Sequence, residues 1–289
     1  MKIKKAVITA AGYGTRMLPA TKSMPKEMLP ILDRPAIQYI VEECVSAGIT
    51  DILIILSRGK HVVEDHFDRS PDLERQLLKS GKTALYDEIV KIGSMANIVY
   101  VRQAEQLGLG HAVLCAKSFA GNEPFAVLYG DDVIMGDDPV IGQLCRAYEK
   151  HGKGVVGIKE VPAEDVMRYS SMKLSPMEDG CYCITDMIEK PAPDQIFSNF
   201  SILGRCVLPP EIFDILEHTP CGRNNELQLT DAMKALALKE TMVGVDFTGT
   251  RYDMGNKFSA LKASIEVGLT RPEIAEELKA YIKNLAETL

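Results

Sequence analysis

No stretch of this 289-residue chain approaches the roughly 20 consecutive apolar residues that a membrane-spanning helix needs, so no membrane partner is expected. Basic residues are in deficit: 33 Lys and Arg stand against 40 Asp and Glu, a formal net charge of -7. That balance argues against nucleic acid or an anionic membrane as a partner, and any polyanionic ligand must meet a local cluster of cations. Cysteine occurs seven times but never as C-x-x-C. Cys181 and Cys183, on one face of an extended segment, sit too close along the chain for a comfortable bridge. Buried thiols in a reducing cytoplasm are the expectation. The start MKIKKAVITAAGYG has its apolar run broken by Thr9, Gly12 and Gly14, so it reads as a first β-strand and not as a secretory signal. With no long Pro/Gly/Ser linker, low-complexity tract or repeat, residues 1–289 read as one domain.

What is present points to an α/β fold. Hydrophobic residues make up 46% of the chain, enough for a large core, and the charged fraction of 25% gives no reason to expect disorder. Apolar runs at 5–9, 51–57, 97–101 and 124–129 read as strands. Ile37, Ile40, Val41, Cys44 and Val45 recur at helical spacing before Gly48, and 109–120 and 139–151 are further helix candidates. Short unbroken apolar runs mean strands covered on both faces, hence a doubly wound, mainly parallel sheet. Residues 72–94 are polar and helix-prone, a surface excursion. The second half is more elaborate, with strand-like runs near 153–160, 171–175, 181–189 and 198–208. Helices are expected at about 210–218, 229–240, 256–268 and 272–287.

Residues 10–30, AAGYGTRMLPATKSMPKEMLP, follow the first strand. In an open α/β sheet this is where ligands bind. The small residues Ala10, Ala11, Gly12 and Gly14 let backbone N–H groups approach a phosphate or a base edge, while Arg16, Lys22 and Lys26 add charge. A triphosphate needs that combination. A dinucleotide fingerprint would require glycine where Met17 stands and a helix where Pro19, Pro25 and Pro30 stand; a P-loop would require glycine where Thr21 precedes Lys22. A nicotinamide-dependent oxidoreductase is therefore disfavoured.

Read singly, the other candidates are weak. Asp131 and Asp132 end a strongly apolar strand, and Asp253 lies in a Tyr-Asp-x-Gly loop; each alone is an ordinary turn residue. Glu189 and Lys190 before Pro191 look like a solvated strand end. Gly204 inside a strand marks a bulge or a close approach. His111 reads as structural, and His61, His66, His151 and His218 as surface residues.

Together with G-x-G-T-R-M-L-P and P-K-E-M-L-P in the loop, the strings VRQ (101–103), GLGHAV (108–113), YGDD (129–132) and IEKP (188–191) form an ordered set. It continues through SNFSILGRCVL (198–208), NNELQLTDA (224–232) and YDMGNK (252–257). The set resembles the sugar-phosphate nucleotidyltransferase family, over most of the chain and in order. The resemblance implies a Rossmann-like nucleotidyltransferase fold whose residues 1–135 mainly bind nucleotide and 136–289 mainly bind sugar phosphate. Its implied substrates are UTP and glucose 1-phosphate, with dTTP or another hexose 1-phosphate as alternatives and a non-catalytic nucleotide-sugar-binding relative as a further one. It implies Mg²⁺ on Asp131 and Asp253, triphosphate contacts from Arg16 and Lys26, sugar-phosphate contact from Lys190 and sugar-hydroxyl contact from Glu189. It also implies that backbone at Ala11, Gly12 and Gly108, with Glu27 and Gln103, surrounds the base, that Asp132 touches the sugar or a metal-bound water, and that a sugar ring approaches the backbone at Gly204. Gln103 can donate and accept together, which matches the imide edge of uracil and equally of thymine. A homo-oligomer, dimer or tetramer, is implied as well. The family has Tyr-Gly-Val where this chain has Tyr169-Ser170-Ser171, so Ser170 either crowds the hexose or donates a hydrogen bond to it.

Overall fold

The computed structural model describes residues 2–222 and 225–289; Met1, Arg223 and Asn224, the last being the first residue of the NNELQLTDA string, lie outside the described residues. In chain order the strands are β1 (Lys5–Ala10), β2 (Pro30–Ile31), β3 (Arg34–Pro35), β4 (Asp51–Leu56), β5 (Asn97–Arg102), β6 (Phe125–Tyr129) and β7 (Asp132–Met135). They continue as β8 (Val155–Glu160), β9 (Ser170–Pro176), β10 (Tyr182–Glu189), β11 (Phe200–Leu208), β12 (Met242–Asp246) and β13 (Thr250–Asp253).

Alternation along β1 and β4 accounts for the layering. Ala6, Ile8, Ala10, Ile52, Ile54 and Leu56 enter one apolar cluster, and Val7, Leu53 and Ile55 enter another on the opposite face. Helices 36–46 and 140–151 cover the first face with Ile37, Ile40, Val41, Ile141 and Leu144. Helices 109–114, 212–218 and 229–240 cover the second with Val113, Phe213, Leu216, Met233 and Leu236. A sheet buried on both sides needs no polar alternation, which is why its strands read as unbroken apolar runs.

Among the described residues one sheet has the order β5-β4-β1-β6-β11-β8-β12-β10-β9. β5, β4, β1 and β6 pair in parallel, as do β8 and β12. β11 and β10 pair antiparallel with both of their neighbours, so they alone reverse the common direction of this sheet. The fold is thus doubly wound and mainly parallel, with its antiparallel insertions in the C-terminal half. The excursion forms two helices, Pro71–Lys79 and Thr83–Ile92, and the last helices are Lys257–Thr270 and Ala275–Ala286.

Among the described residues five strands escaped the sequence reading: β2 and β3, of two residues each, together with β7, β12 and β13. β12 is short and follows directly on a helix. β7 and β13 form a separate two-stranded ribbon whose pairing sets Asp253 opposite Asp132. The buried-thiol expectation holds for Cys44, Cys145 and Cys206 only; Cys221 is exposed and the other three are half-buried. His66 and His151, expected at the surface, are half-buried too.

Candidate active site

The carboxyl ends of parallel strands gather the first half of the site. The loop after β1, Gln103 after β5 and Asp131 after β6 open on one crevice, in which two cavities of about 470 and 480 Å³ meet at Leu109, Tyr129 and Asp131. Ala11, Gly12, Gly14, Lys26, Gln103 and Gly108 line the first; Arg16, Asp132, Ser170, Glu189, Lys190 and Asp253 line the second. Asp131 belongs to both.

Opposed charges hold the junction. Lys26 Nζ lies 2.5 Å from Asp131 Oδ2. Burial pushes the Asp131 carboxyl up, but the Lys26 ammonium outweighs it and holds the pKa below the usual range, so the group is an anion. The Arg16 guanidinium spans both acids, 3.3 Å from Asp253 Oδ2 and 3.8 Å from Asp131 Oδ2. Its side chain is 64% exposed, so it is free to swing away. A backbone bond stitches the two loops together, Met254 N–H donating to the Asp131 carbonyl at 2.8 Å, and within its own loop Asp253 is held by Gly255 N–H donating to its Oδ1 at 2.8 Å. Two convergent carboxylates with a single cation between them form a hard-oxygen donor set that suits a divalent metal.

Asp132 points away from this pair towards Arg251, whose guanidinium approaches to 2.6 Å. The contact is too bent to count as a hydrogen bond, so Asp132 Oδ1 is ion-paired yet lacks a donor. Burial raises the Asp132 pKa to about 6 against the opposing charge of Arg251, with Asp131 and Asp253 adding to the rise. Arg251 also lies over the Tyr169 ring, 5.2 Å from its centroid.

The β9–β10 hairpin supplies the far wall. Ser170 and Glu189 face each other across its base. Ser170 is buried: its Oγ accepts from Ile202 N–H at 3.0 Å, and its carbonyl accepts from Ser201 Oγ at 2.6 Å. Glu189 Oε2 accepts from Thr230 Oγ1 at 2.8 Å, and burial pushes its carboxyl up against that hydrogen bond. Lys190 adopts φ 45°, a left-handed conformation unusual for lysine, held by its N–H donating to the Tyr169 carbonyl at 2.7 Å. Its ammonium projects into the cavity 3.7 Å from Glu189 Oε1.

Four expectations need correcting. Glu27 does not face a base: it is fully buried, with Lys60 Nζ donating to its two carboxylate oxygens at 2.8 and 3.0 Å and to the Ala10 carbonyl at 2.6 Å. Burial pushes the Glu27 carboxyl up and the Lys60 ammonium down, and the pair opposes both shifts. Glu27 and Lys60 thus anchor the glycine-rich loop beneath the cleft. Gly204 abuts Asp132, not the sugar cavity: at φ 74° a β-carbon there would stand 2.9 Å from Asp132 Cβ, and it sits where the β11–β8 register shifts. Gln103 cannot both donate and accept towards a ligand, because its Nε2 donates to the Gly108 carbonyl at 3.1 Å and to His111 Nδ1 at 2.9 Å. Only Oε1 is left for the cleft. Lys22 is exposed and lines neither cavity.

Gly108 keeps its place for a local reason. At φ 99°, a β-carbon would come within 2.7 Å of the Leu227 carbonyl, where Leu227 closes over the 107–110 turn through hydrogen bonds with Leu107 and Gly110. The sequence reading missed Lys60, Gln106, Arg168, Arg251, Glu226 and Thr230. Thr230 and Glu226 fall within the recognised NNELQLTDA string, which was a usable signal. Nothing in the sequence marks Lys60 or Arg251.

A family model described as nucleotidyl transferase matches residues 5–268. The chain is 51% identical over 284 residues to UTP–glucose-1-phosphate uridylyltransferase of Staphylococcus epidermidis, covering 98% of this chain and 99% of that one. Among solved structures it is similar to a UDP-glucose pyrophosphorylase complexed with UDP-glucose. The identity is 41% and the TM-score 0.85, over 93% of this chain and 100% of that one. It is also similar to the UTP-bound enzyme of Acinetobacter baumannii, at 39% identity and TM-score 0.90 over 98% and 99%.

Proposed function

The chain belongs to the nucleotidyl transferase family, and on that premise we propose that it transfers the uridylyl group of UTP to glucose 1-phosphate, giving UDP-glucose and pyrophosphate. The carrying observation is the junction at Asp131 of two cavities of unlike chemistry. One is lined by a glycine-rich loop with a lysine, and the other by Glu189, Lys190, Ser170 and Arg251.

Lys26 and Arg16 are suited to hold the triphosphate and to neutralise the departing pyrophosphate. Gln103 Oε1, left as an acceptor, suits the imide N–H of uracil; thymine carries the same group. Lys190 is placed to bind the sugar phosphate as a point charge, and the ionised form of Glu189 accepts from sugar hydroxyls. The Arg16 guanidinium already bridges Asp131 and Asp253, so those carboxylates fit a divalent cation, for which we propose Mg²⁺. When bound, Mg²⁺ supplies charge neutralisation on phosphoryl oxygens. The attacking oxygen belongs to an anionic phosphate and needs no general base, so no side chain forms a covalent intermediate. Catalysis here consists of positioning and charge neutralisation.

No described helix is long and apolar enough to cross a membrane, and a reducing cytoplasm suits the seven free cysteines. Exposed Phe258, Leu261, Tyr281 and Leu285 on the last two helices support a homo-oligomer. The test is pyrophosphate release across nucleoside triphosphates and sugar 1-phosphates. UTP with glucose 1-phosphate should give the highest kcat/KM; preference for dTTP or for another hexose 1-phosphate would overturn the substrate assignment.

A further inference from the structure

Away from the substrate cleft, the turn joining β9 to β10 meets the end of helix 140–151. There, one candidate donor atom each of His151, Asp179 and Cys181 lies within 4.8 Å of the others, with His151 Nε2 2.7 Å from Asp179 Oδ2. We propose that His151, Asp179 and Cys181 form a second metal site, distinct from the catalytic carboxylates, that takes Zn²⁺ or a similar borderline-soft dication.

Ligand chemistry selects the ion. Imidazole nitrogen, carboxylate oxygen and thiolate sulfur together suit Zn²⁺ and disfavour Mg²⁺, which wants oxygen alone. Three protein donors leave one tetrahedral position for a water; the cluster lies at the surface, with the Asp179 side chain 18% and the His151 side chain 16% exposed. The donors are largely preorganised. Met177 N–H donates to the Cys181 carbonyl at 2.9 Å and Cys181 N–H donates to Asp179 Oδ1 at 3.2 Å, fixing two ligands on one tight turn. The third ligand sits on the last helical turn, closed by Gly152 in the left-handed conformation.

Lys150 competes for the site, with Nζ 2.7 Å from Asp179 Oδ2, but its side chain is 60% exposed and can leave to solvent. Burial and the nearby Asp179 charge push the Cys181 thiol up, so it is protonated without metal. On binding, the S–H proton passes to solvent as the metal–sulfur bond forms. The ion would pin the hairpin turn to the helix; the opposite end of that hairpin carries Ser170 and Glu189.

The test uses the full-length protein, stripped with chelator and held in excess Mg²⁺. Co²⁺ is titrated as a spectroscopic probe and then displaced by Zn²⁺. A thiolate-to-cobalt charge-transfer band should saturate at one equivalent and vanish on Zn²⁺ addition. Cys181→Ser should lack the band. His151→Gln should weaken binding by at least roughly the tenfold that even an outer-shell change costs. Lys150→Gln should tighten it, and all three variants should keep the Mg²⁺-supported transferase activity. Absence of the band in the parent protein, or an undiminished band in Cys181→Ser, would overturn the site; the latter would move the ligand to another thiol such as Cys221.

Discussion

Arg205 donates from a fully buried guanidinium to the carbonyl oxygen of Asp132 at 2.8 Å, tying β11 to the segment that carries Asp131. The same guanidinium meets Glu43 at 2.6 and 3.1 Å, and Glu43 in turn accepts from Ile141 N–H at 2.9 Å. Helix 36–46, helix 140–151 and the loop of Asp131 and Asp132 thus share one buried ion pair. Breaking such a pair from one side leaves an uncompensated charge, at a cost of about 3–5 kcal/mol. Arg205→Met should lose that much in chemical denaturation. Adding Glu43→Gln, which keeps an acceptor for Ile141, should restore most of it. A single variant within about 1 kcal/mol of the parent would show that the pair carries little.

Asp131 and Asp253 reach one point from separate loops, bridged by Arg16. Asp131→Asn and Asp253→Asn should each abolish turnover, since an amide oxygen does not replace a carboxylate against a divalent ion. Circular dichroism should show the parent fold for both variants. Full activity of either variant in Mg²⁺ would remove the metal assignment.

The two cavities should separate kinetically. Arg16→Ala should chiefly harm UTP use and Lys190→Ala glucose 1-phosphate use. A charge-assisted contact is worth about 1.5–3 kcal/mol, or roughly 10- to 150-fold. Varying each substrate in turn reads this out; unchanged sugar-phosphate kinetics in Lys190→Ala would show that its ammonium does not reach that phosphate.

Asp132 carries a pH signature. Its pKa rises from 3.8 to about 6 on folding because of burial, so between those values the folded chain holds a proton that the unfolded chain has lost. Stability must then fall as pH rises through this window, by an amount on the order of 2–3 kcal/mol. Asp132→Asn cannot titrate and lacks that decline. With divalent cations removed, the stability difference between parent and variant should move in the variant's favour from pH 4 to pH 7. Movement the other way would mean that Arg251 lowers the carboxyl pKa more than burial raises it.

Element types and the order of motifs were legible because apolar periodicity and glycine-rich turns are local properties of the chain. The parallel strands and the packed helices announce themselves by what they bury. The ribbon of β7 and β13 did not, since four-residue strands have no periodicity to read, yet that ribbon sets Asp253 beside Asp132. Glu27, Gly204 and Gln103 were assigned to ligands, but their partners within the protein, Lys60, Asp132 and His111, lie at sequence distances of 33, 72 and 8 residues. Only the tertiary structure shows that those polar groups are already engaged. Charge pairing across such separations leaves no trace in a single sequence.

Ser170 is where this chain departs from the pattern it resembles, and the structure favours one of the two consequences weighed for it. Its Oγ is committed as an acceptor to Ile202 N–H, which fixes the side-chain rotamer, while the hydroxyl proton stays available to the cavity that Ser170 lines. The cavity also holds Glu189 and Lys190, the groups assigned to sugar hydroxyls and phosphate. A hydroxyl held in this way donates to a sugar oxygen with little ordering cost, a contact worth about 0.5–1.5 kcal/mol. Ser170→Ala keeps the β-carbon and removes the donor, so the KM for glucose 1-phosphate should rise roughly 2- to 12-fold. The KM for UTP should stay near the parent value, because Ser170 does not line the nucleotide cavity. Ser170→Gly distinguishes the alternative: if the β-carbon crowds the hexose, glycine lowers the KM below that of the parent. A fall in Ser170→Gly with no rise in Ser170→Ala would therefore replace donation by crowding. Equal effects on both substrates in either variant would remove Ser170 from sugar recognition.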